Sequence, residues 1–376
     1  MRSVSRCVFP AALLVLLPAC GGKPESERAG TSAAAEEKTV VIYNWSGYIG
    51  ETTTADFEAK TGIKVIYDVM DSNEVLETKL LAGRTGYDIV VPTAPFLERQ
   101  IKAGVYRKLD KSKLPNLANM DPGIMTQTAL HDPNNEHSII YLWGTIGLGY
   151  NVDMVKKALG TDKIDSWTAI FEPKNAAKLA KCGITMLDAP TDVFGSVAIY
   201  KGLDPNSEKP EDLAVVEETL TKIRPYIKYF HSSSYINDLA AGEICVALGW
   251  SGDVLQARDR GAAAAKPVKI AYAIPKEGAI NYFDMLAIPA DAPHPDNAHA
   301  FLNFLMDPAV IAKVSDKVRF ANGNAKALPL INEAMRNDPN VYPGDDVRAR
   351  LHPDLAESAE FSRELNRAWT RIRTGQ

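Results

Sequence analysis

Three stretches of this chain set an aromatic ring next to a carboxylate or a hydroxyl, in or just after a run that reads as a β-strand. Trp45 and Ser46 end VVIYN, with Tyr48 close behind; Trp250 and Asp253 follow ICVALG; Tyr282, Phe283 and Asp284 sit within INYFDMLAIP. Thr93 adds a lone hydroxyl after YDIVVP. Aromatic faces attract cations and cover methylene chains, and carboxylates accept the hydrogens of an ammonium, so this set suits an alkylammonium ligand. A single strand-end tryptophan is more often core than site; the pairing gains its meaning because it recurs.

Other chemistries fit less well. Gly249-Trp250-Ser251-Gly252-Asp253 approaches a nucleophile elbow, which makes a serine hydrolase acting through Ser251 the rival from a different class. Asp253 stands where that turn needs glycine, however, and no oxyanion-hole motif precedes it. The six histidines are scattered, and the spacing of His131 and His137 fits no common zinc pattern. No phosphate loop or dinucleotide fingerprint occurs. The expectation is a binding protein without catalytic residues, metal or cofactor.

The elements that would position these residues alternate. VVIYNW reads as a strand, ETTTADFEAKTG as a helix stopped by Gly62, IKVIYDVM as a strand, SNEVLETKLLAG as a helix capped by Ser72 and stopped by Gly83, and YDIVVPT as a strand. That order predicts right-handed crossovers and a parallel sheet. A second α/β block starts near Gly144 and contains DLAVVEETLTKI, YINDLAAGE and ICVALGW. After Lys266 come two strand-like runs around Pro-Lys-Glu-Gly, then the helical HAFLNFLMDPAVIAKVSD. Strand ends at a topological switch are where open α/β sheets bind ligands.

The N-terminus bears on location. Arg2 and Arg6 precede the apolar run Cys7 to Leu17, which is too short to span a bilayer and reads as a signal peptide over residues 1–19. Leu-Pro-Ala-Cys-Gly resembles a bacterial lipobox, which would make Cys20 a lipidated first residue; the alternative is an ordinary signal peptide with a chance cysteine. Residues 20–38 are small and charged and read as a tether with a reach of about 20 to 25 Å. The rest is long enough for two domains. The formal charge of −5 becomes −7 once Arg2 and Arg6 leave, which argues against nucleic acid and mildly for a cationic partner. Cys182 and Cys245 are then either bridged, as an oxidising compartment permits, or two buried thiols.

Longer stretches carry a family likeness. YNWSGYI, GIKVIYDVMDSNEVLETKLLAG, YDIVVPTAPFLERQ, HDPNNEHSIIYLWGTIGLGYNVD, KYFHSSSYINDLAAGEICVALGWSGDV and IPKEGAINYFDMLAIPAD together resemble the periplasmic putrescine/spermidine-binding proteins of bacterial ABC transporters, most closely the putrescine-specific type. The resemblance implies an α/β fold of the two-lobed periplasmic binding protein type (type II), closing over a ligand in the interlobe cleft. Lobe 1 would comprise residues 39–145 and 256–315, and lobe 2 residues 146–255 and 316–376. In that family a diamine lies between aromatic rings with carboxylates at both ends. Trp45, Tyr48 and Trp250 keep the family's aromatic type, Ser46 its hydroxyl, and Asp253 and Asp284 their carboxylates. Gly47 stands where aspartate is usual, Asp192 where glutamate is, Thr93 replaces serine, Tyr282 replaces phenylalanine and Phe320 replaces tyrosine. Gly47 has a plainer explanation too, a turn that needs positive φ. The implied function is a monomeric, extracytoplasmic lipoprotein that captures putrescine, or a related cation such as agmatine or spermidine, for an ABC permease. Its lipid would be its sole contact with the membrane.

Overall fold

Alternating Val, Ile and Tyr side chains make Thr39–Trp45 a strand, β1, whose inward residues Val40 and Ile42 are fully buried. The computed structural model describes residues 37–375, so the expected signal peptide, Cys20 and nearly all of the tether lie outside the described residues. The helix Thr53–Thr61 follows β1 and ends at Gly62, whose left-handed backbone (φ 69°) lets its N–H reach Glu58 O. β2 (Lys64–Met70) then pairs parallel with β1. In the next helix, Asn73–Ala82, Ser72 caps the N-terminus by accepting the Val75 N–H at 3.1 Å. β3 (Ile89–Val90) lies parallel on the other side of β1. It is shorter than YDIVVPT suggested because Pro92 has no N–H for a ladder, although its carbonyl still accepts from Met285 N.

A second parallel set repeats this pattern. β5 (Ile184–Met186) pairs parallel with β6 (Ile227–Phe230) and β7 (Val246–Trp250). The two sets are joined by β4 (Ser138–Asn151), which changes partners halfway. Its Ser138–Thr145 part runs antiparallel to β9 (Ala279–Ala287), while Ile146–Asn151 runs antiparallel to β7 and β8 (Ile270–Ala273). The strand order is β2-β1-β3-β9-β4-β7-β5-β6. The sheet is therefore mixed; the expected parallel pairing holds within each set, and the connecting strands are antiparallel.

The pairing also redraws the expected division of the chain. Residues 256–273 were expected with the first lobe, yet β8 pairs with the second half of β4. Residues 316–376 were expected with the second, yet β10 (Ala321–Asn322) pairs with the first half of β4, at Trp143 and Leu142, and β11 (Leu351–Pro353) pairs with β9. The C-terminal helix Ala359–Thr374 returns to the second set: Trp369 packs on Phe194 and Phe230 and donates its indole N–H to Asp188.

Cys182 and Cys245 are joined by a disulfide, their Cα atoms 5.4 Å apart, tying the approach to β5 to the approach to β7. In the chain-entropy model a bridge over this separation stabilises by about 4 kcal/mol. Protein unfolded without reductant should take up no thiol label at either cysteine, and adding reductant should lower the guanidinium midpoint. Labelling at both positions before reduction would contradict the bridge.

Candidate functional site

The C-terminal ends of both parallel sets face one cleft of about 200 Å³. Each of the ten residues singled out from sequence lines it: Trp45, Ser46, Tyr48, Thr93, Tyr282, Asp284 and Phe320 from the first set and its β9 neighbour, and Asp192, Trp250 and Asp253 from the second. Local structure aims them. Asn44 holds the turn after β1 by accepting the Trp45 N–H at 2.7 Å and donating to Tyr48 O at 3.2 Å. Gly47 in that turn has φ 67°, the left-handed region, with open space where a side chain would start. Asp192 and Asp253 lie in the first turns of the helices Pro190–Tyr200 and Ser251–Ala263, where the helix dipole favours a negative charge. Phe320 presses on Gly252, where any Cβ would come within 2.3 Å of the ring.

Trp45 and Trp250 meet edge to face across the cleft, centroids 6.1 Å apart. Both indole N–H groups are engaged, Trp45 with Val91 O at 2.9 Å and Trp250 with Asp192 Oδ2 at 2.8 Å. Tyr48 stacks edge-on against Phe320 and Tyr141 and donates its hydroxyl to Asp284 Oδ2 at 2.7 Å. Tyr235 donates to Asp253 Oδ2 at 3.0 Å. Aromatic donors thus hold one oxygen of each carboxylate. Asp284, only 4% exposed, has no partner for Oδ1, and neither does the hydroxyl of Tyr282, 6% exposed. Buried polar atoms left unpaired cost about 1–3 kcal/mol each; Asp284 Oδ1 can accept a hydrogen bond, and the Tyr282 hydroxyl can donate or accept one.

The electrostatics agree. Burial pushes Asp284 up to about 8; the Tyr48 hydroxyl offsets part of that, and the charges of Asp192 and Asp253 add to it. Asp192 rises to about 7 through burial, offset by the Trp250 N–H and reinforced by Glu74. Asp253 rises to about 7 through burial, offset by Tyr235 and Arg260. In all three carboxylates burial is the largest cause of the rise, and a nearby positive charge would oppose it.

Sequence reasoning missed several lining residues. Asp71 and Glu74 after β2, and Ser233 after β6, follow the strand-end rule already applied elsewhere. Ser233 Oγ donates to Asp71 Oδ1 at 3.3 Å, bridging the two sides. Arg260, two turns beyond Asp253, shares that helix. Asp354 comes from the C-terminal tail, and no local pattern pointed to it. Ser251 is 3% exposed and accepts the Thr145 N–H at 3.3 Å, and among the described residues no histidine lines the cleft.

Residues 52–343 match the family model of the bacterial extracellular solute-binding proteins. The chain belongs to that family. This solute-binding protein is 52% identical, over 93% of its length and 95% of the relative's, to the putrescine-binding periplasmic protein SpuD of Pseudomonas aeruginosa. It is also 52% identical to the putrescine-binding periplasmic protein PotF of Escherichia coli, over 91% and 93% of the two chains. Among solved structures it resembles the spermidine/putrescine ABC transporter substrate-binding protein PotD from Streptococcus pneumoniae, with TM-score 0.74 and 26% identity over 90% and 99% of the chains. The fold is the two-lobed one of periplasmic binding proteins, and the family binds solutes for transport and is not enzymatic.

Proposed function

We propose that this solute-binding protein captures putrescine outside the cytoplasm and delivers it to an ABC permease. The observation that carries this reading is the unpaired Asp284 Oδ1, which shares one cleft with Asp192, Asp253 and the rings of Trp45 and Trp250. One ammonium sits on Asp253 and the other on Asp284 and Ser46, with the methylene chain covered by Trp45, Tyr48 and Trp250. Thr93, Tyr282 and Phe320 complete the wall, and Asp192 orients Trp250 while adding charge. The lobes close about β4 and the β8–β9 link, with residues 146–275 and the C-terminal helix forming one lobe. Ligand contacts made by both lobes only when closed would shift that equilibrium. The mature protein is a monomer held to the membrane through a lipid on Cys20.

A thermal-shift screen tests the ligand class. Putrescine, agmatine and spermidine should raise the melting temperature, and neutral or anionic solutes of equal length should not. A shift with the anionic solutes instead would sink the cation-binding reading.

Gly47 offers a sharper comparison. Open space and a left-handed backbone coexist there, and aspartate tolerates that backbone better than most residues. Gly47→Asp should therefore tighten putrescine relative to agmatine, whose planar guanidinium needs more room, while costing about 1 kcal/mol of apo stability. A binding ratio that stays constant, or moves toward agmatine, would leave the turn geometry as the sole reason for glycine.

A further inference from the structure

Strand β9 faces two ways. Tyr282 and Asp284 line the ligand cleft, while the alternate residues Asn281 and Phe283 open into a second cavity of about 430 Å³ on the strand's other face. Phe320 and Asn322, at β10, divide in the same way, and among the described residues the two cavities share no lining residue. In the second cavity the ring of Trp143, from β4, lies 6.5 Å from that of Phe283 and 6.3 Å from that of Tyr342, nearly perpendicular to the latter. Its indole N–H donates to Asn322 O at 3.3 Å, which holds the ring in place.

Buried asparagines line this cavity as well. Asn322 donates to Ser315 Oγ at 2.8 Å and accepts the Asn324 N–H at 2.9 Å; Asn324 donates to Met306 O at 2.8 Å and accepts from Lys326 and Ala327 N–H. Asn281 is the exception: 8% exposed, its carboxamide has no hydrogen-bond partner among the described residues. A carboxamide offers both a donor and an acceptor, so its complement is another amide edge. His131, 3% exposed, adds an acceptor. Its Nδ1 lies 3.1 Å from Glu98 Oε2, and burial holds the imidazole below its ordinary pKa, so the neutral ring keeps its proton toward Glu98 and leaves Nε2 without a partner among the described residues. The other charged side chains here are Asp121 and Arg348, one of each sign. Asp121 caps the helix Pro122–Thr128 through the Gly123 and Ile124 N–H groups, and Arg348 donates to Pro343 O at 2.7 Å. Unlike the acidic cleft, this cavity holds no surplus charge for a ligand to neutralise.

From this we infer that the second cavity is a binding site for a small neutral aromatic carboxamide, its ring against Trp143 and Phe283 and its amide paired with Asn281. A carboxylate of the same shape lacks the donor that Asn281 Oδ1 and His131 Nε2 call for, and a saturated ring loses the aromatic packing on Trp143. The site goes beyond the diamine reading and does not depend on it.

A ligand-observed NMR titration with benzamide, benzoate and cyclohexanecarboxamide, on the wild-type protein and on Asn281→Leu and Asn281→Ala, tests it. Wild type should bind benzamide equally well with and without saturating putrescine. Benzoate and cyclohexanecarboxamide should bind at least about tenfold more weakly, and both variants should lose about tenfold or more of the benzamide affinity. Because the Asn281 carboxamide bonds to nothing in the empty cavity, its removal should leave the melting temperature unchanged or higher. Two replacements of different size guard against a packing defect in one. No benzamide binding to wild type, equal binding of either analogue, an unchanged affinity in either folded variant, or displacement of benzamide by putrescine would overturn the site.

Discussion

Asp284→Asn should weaken putrescine binding by at least about thirtyfold and leave the unliganded protein no less stable than wild type. The loss follows from the cost of removing one partner of a buried, hydrogen-bonded charge pair, about 2–5 kcal/mol. The stability follows from the same residue in the empty cleft. Asp284 is 4% exposed, Oδ1 is unpartnered, and its only donor is the Tyr48 hydroxyl on Oδ2. An asparagine oxygen can keep the Tyr48 bond without a buried charge, so the melting temperature should hold or rise. Parallel loss of binding and stability would mean that Asp284 is a structural residue and that the ammonium is held elsewhere. Calorimetry and thermal unfolding on one preparation separate the two.

Affinity for putrescine should fall steeply as pH drops from 8 to 6. In the unliganded cleft Asp192 and Asp253 titrate at about 7 and Asp284 at about 8, against 3.8 for an ordinary aspartate. At pH 6 all three mainly hold protons, and a diammonium ligand must expel them. The ligand's own ammonium groups, close to lysine in basicity at about 10.4, stay charged throughout. Asp284 alone accounts for about fiftyfold between pH 8 and pH 6, and the other two add to it. The same groups act in the opposite sense on the unliganded fold. Their folded pKa values lie above the unfolded ones, so the native state binds more protons between about pH 4 and pH 8, and its stability declines as pH rises through that window. Ligand-induced stabilisation should therefore be larger at pH 8 than at pH 6. Titrations in buffers of different ionisation enthalpy should report proton release near pH 7. A flat profile would mean that the carboxylates are already ionised in the empty cleft at pH 6, and tighter binding at pH 6 would contradict their part in binding altogether.

Much of this site was legible because it sits at strand ends, and strand ends announce themselves. Trp45 and Trp250 both follow runs of β-branched and aliphatic residues, and both line the cleft. The helix starting at Asn73 was visible through Ser72, and the one ending at Thr61 through Gly62. What stayed hidden depends on long-range pairing. β4 carries one strand pattern through Thr145 and Ile146, and nothing local says that its partners change there. Residues 256–273 include the alanine run between Gly261 and Lys266, and it is the pairing of β8 with β4 that places their last four residues. Asp354 was hidden for the same reason: its place in the cleft comes from β11 lying on β9, a contact between segments far apart in sequence. Gly47 was visible as a departure from the family pattern, but sequence could not separate a missing carboxylate from a turn that needs positive φ, and the structure contains both features.

A crystal structure of the protein grown with putrescine at pH 8 tests the central claim most directly. It should show the methylene chain between Trp45 and Trp250, one nitrogen within hydrogen-bonding distance of Asp284 Oδ1 and the other within reach of Asp253. Putrescine outside this cleft, or inside it with neither nitrogen on those two carboxylates, would contradict the account.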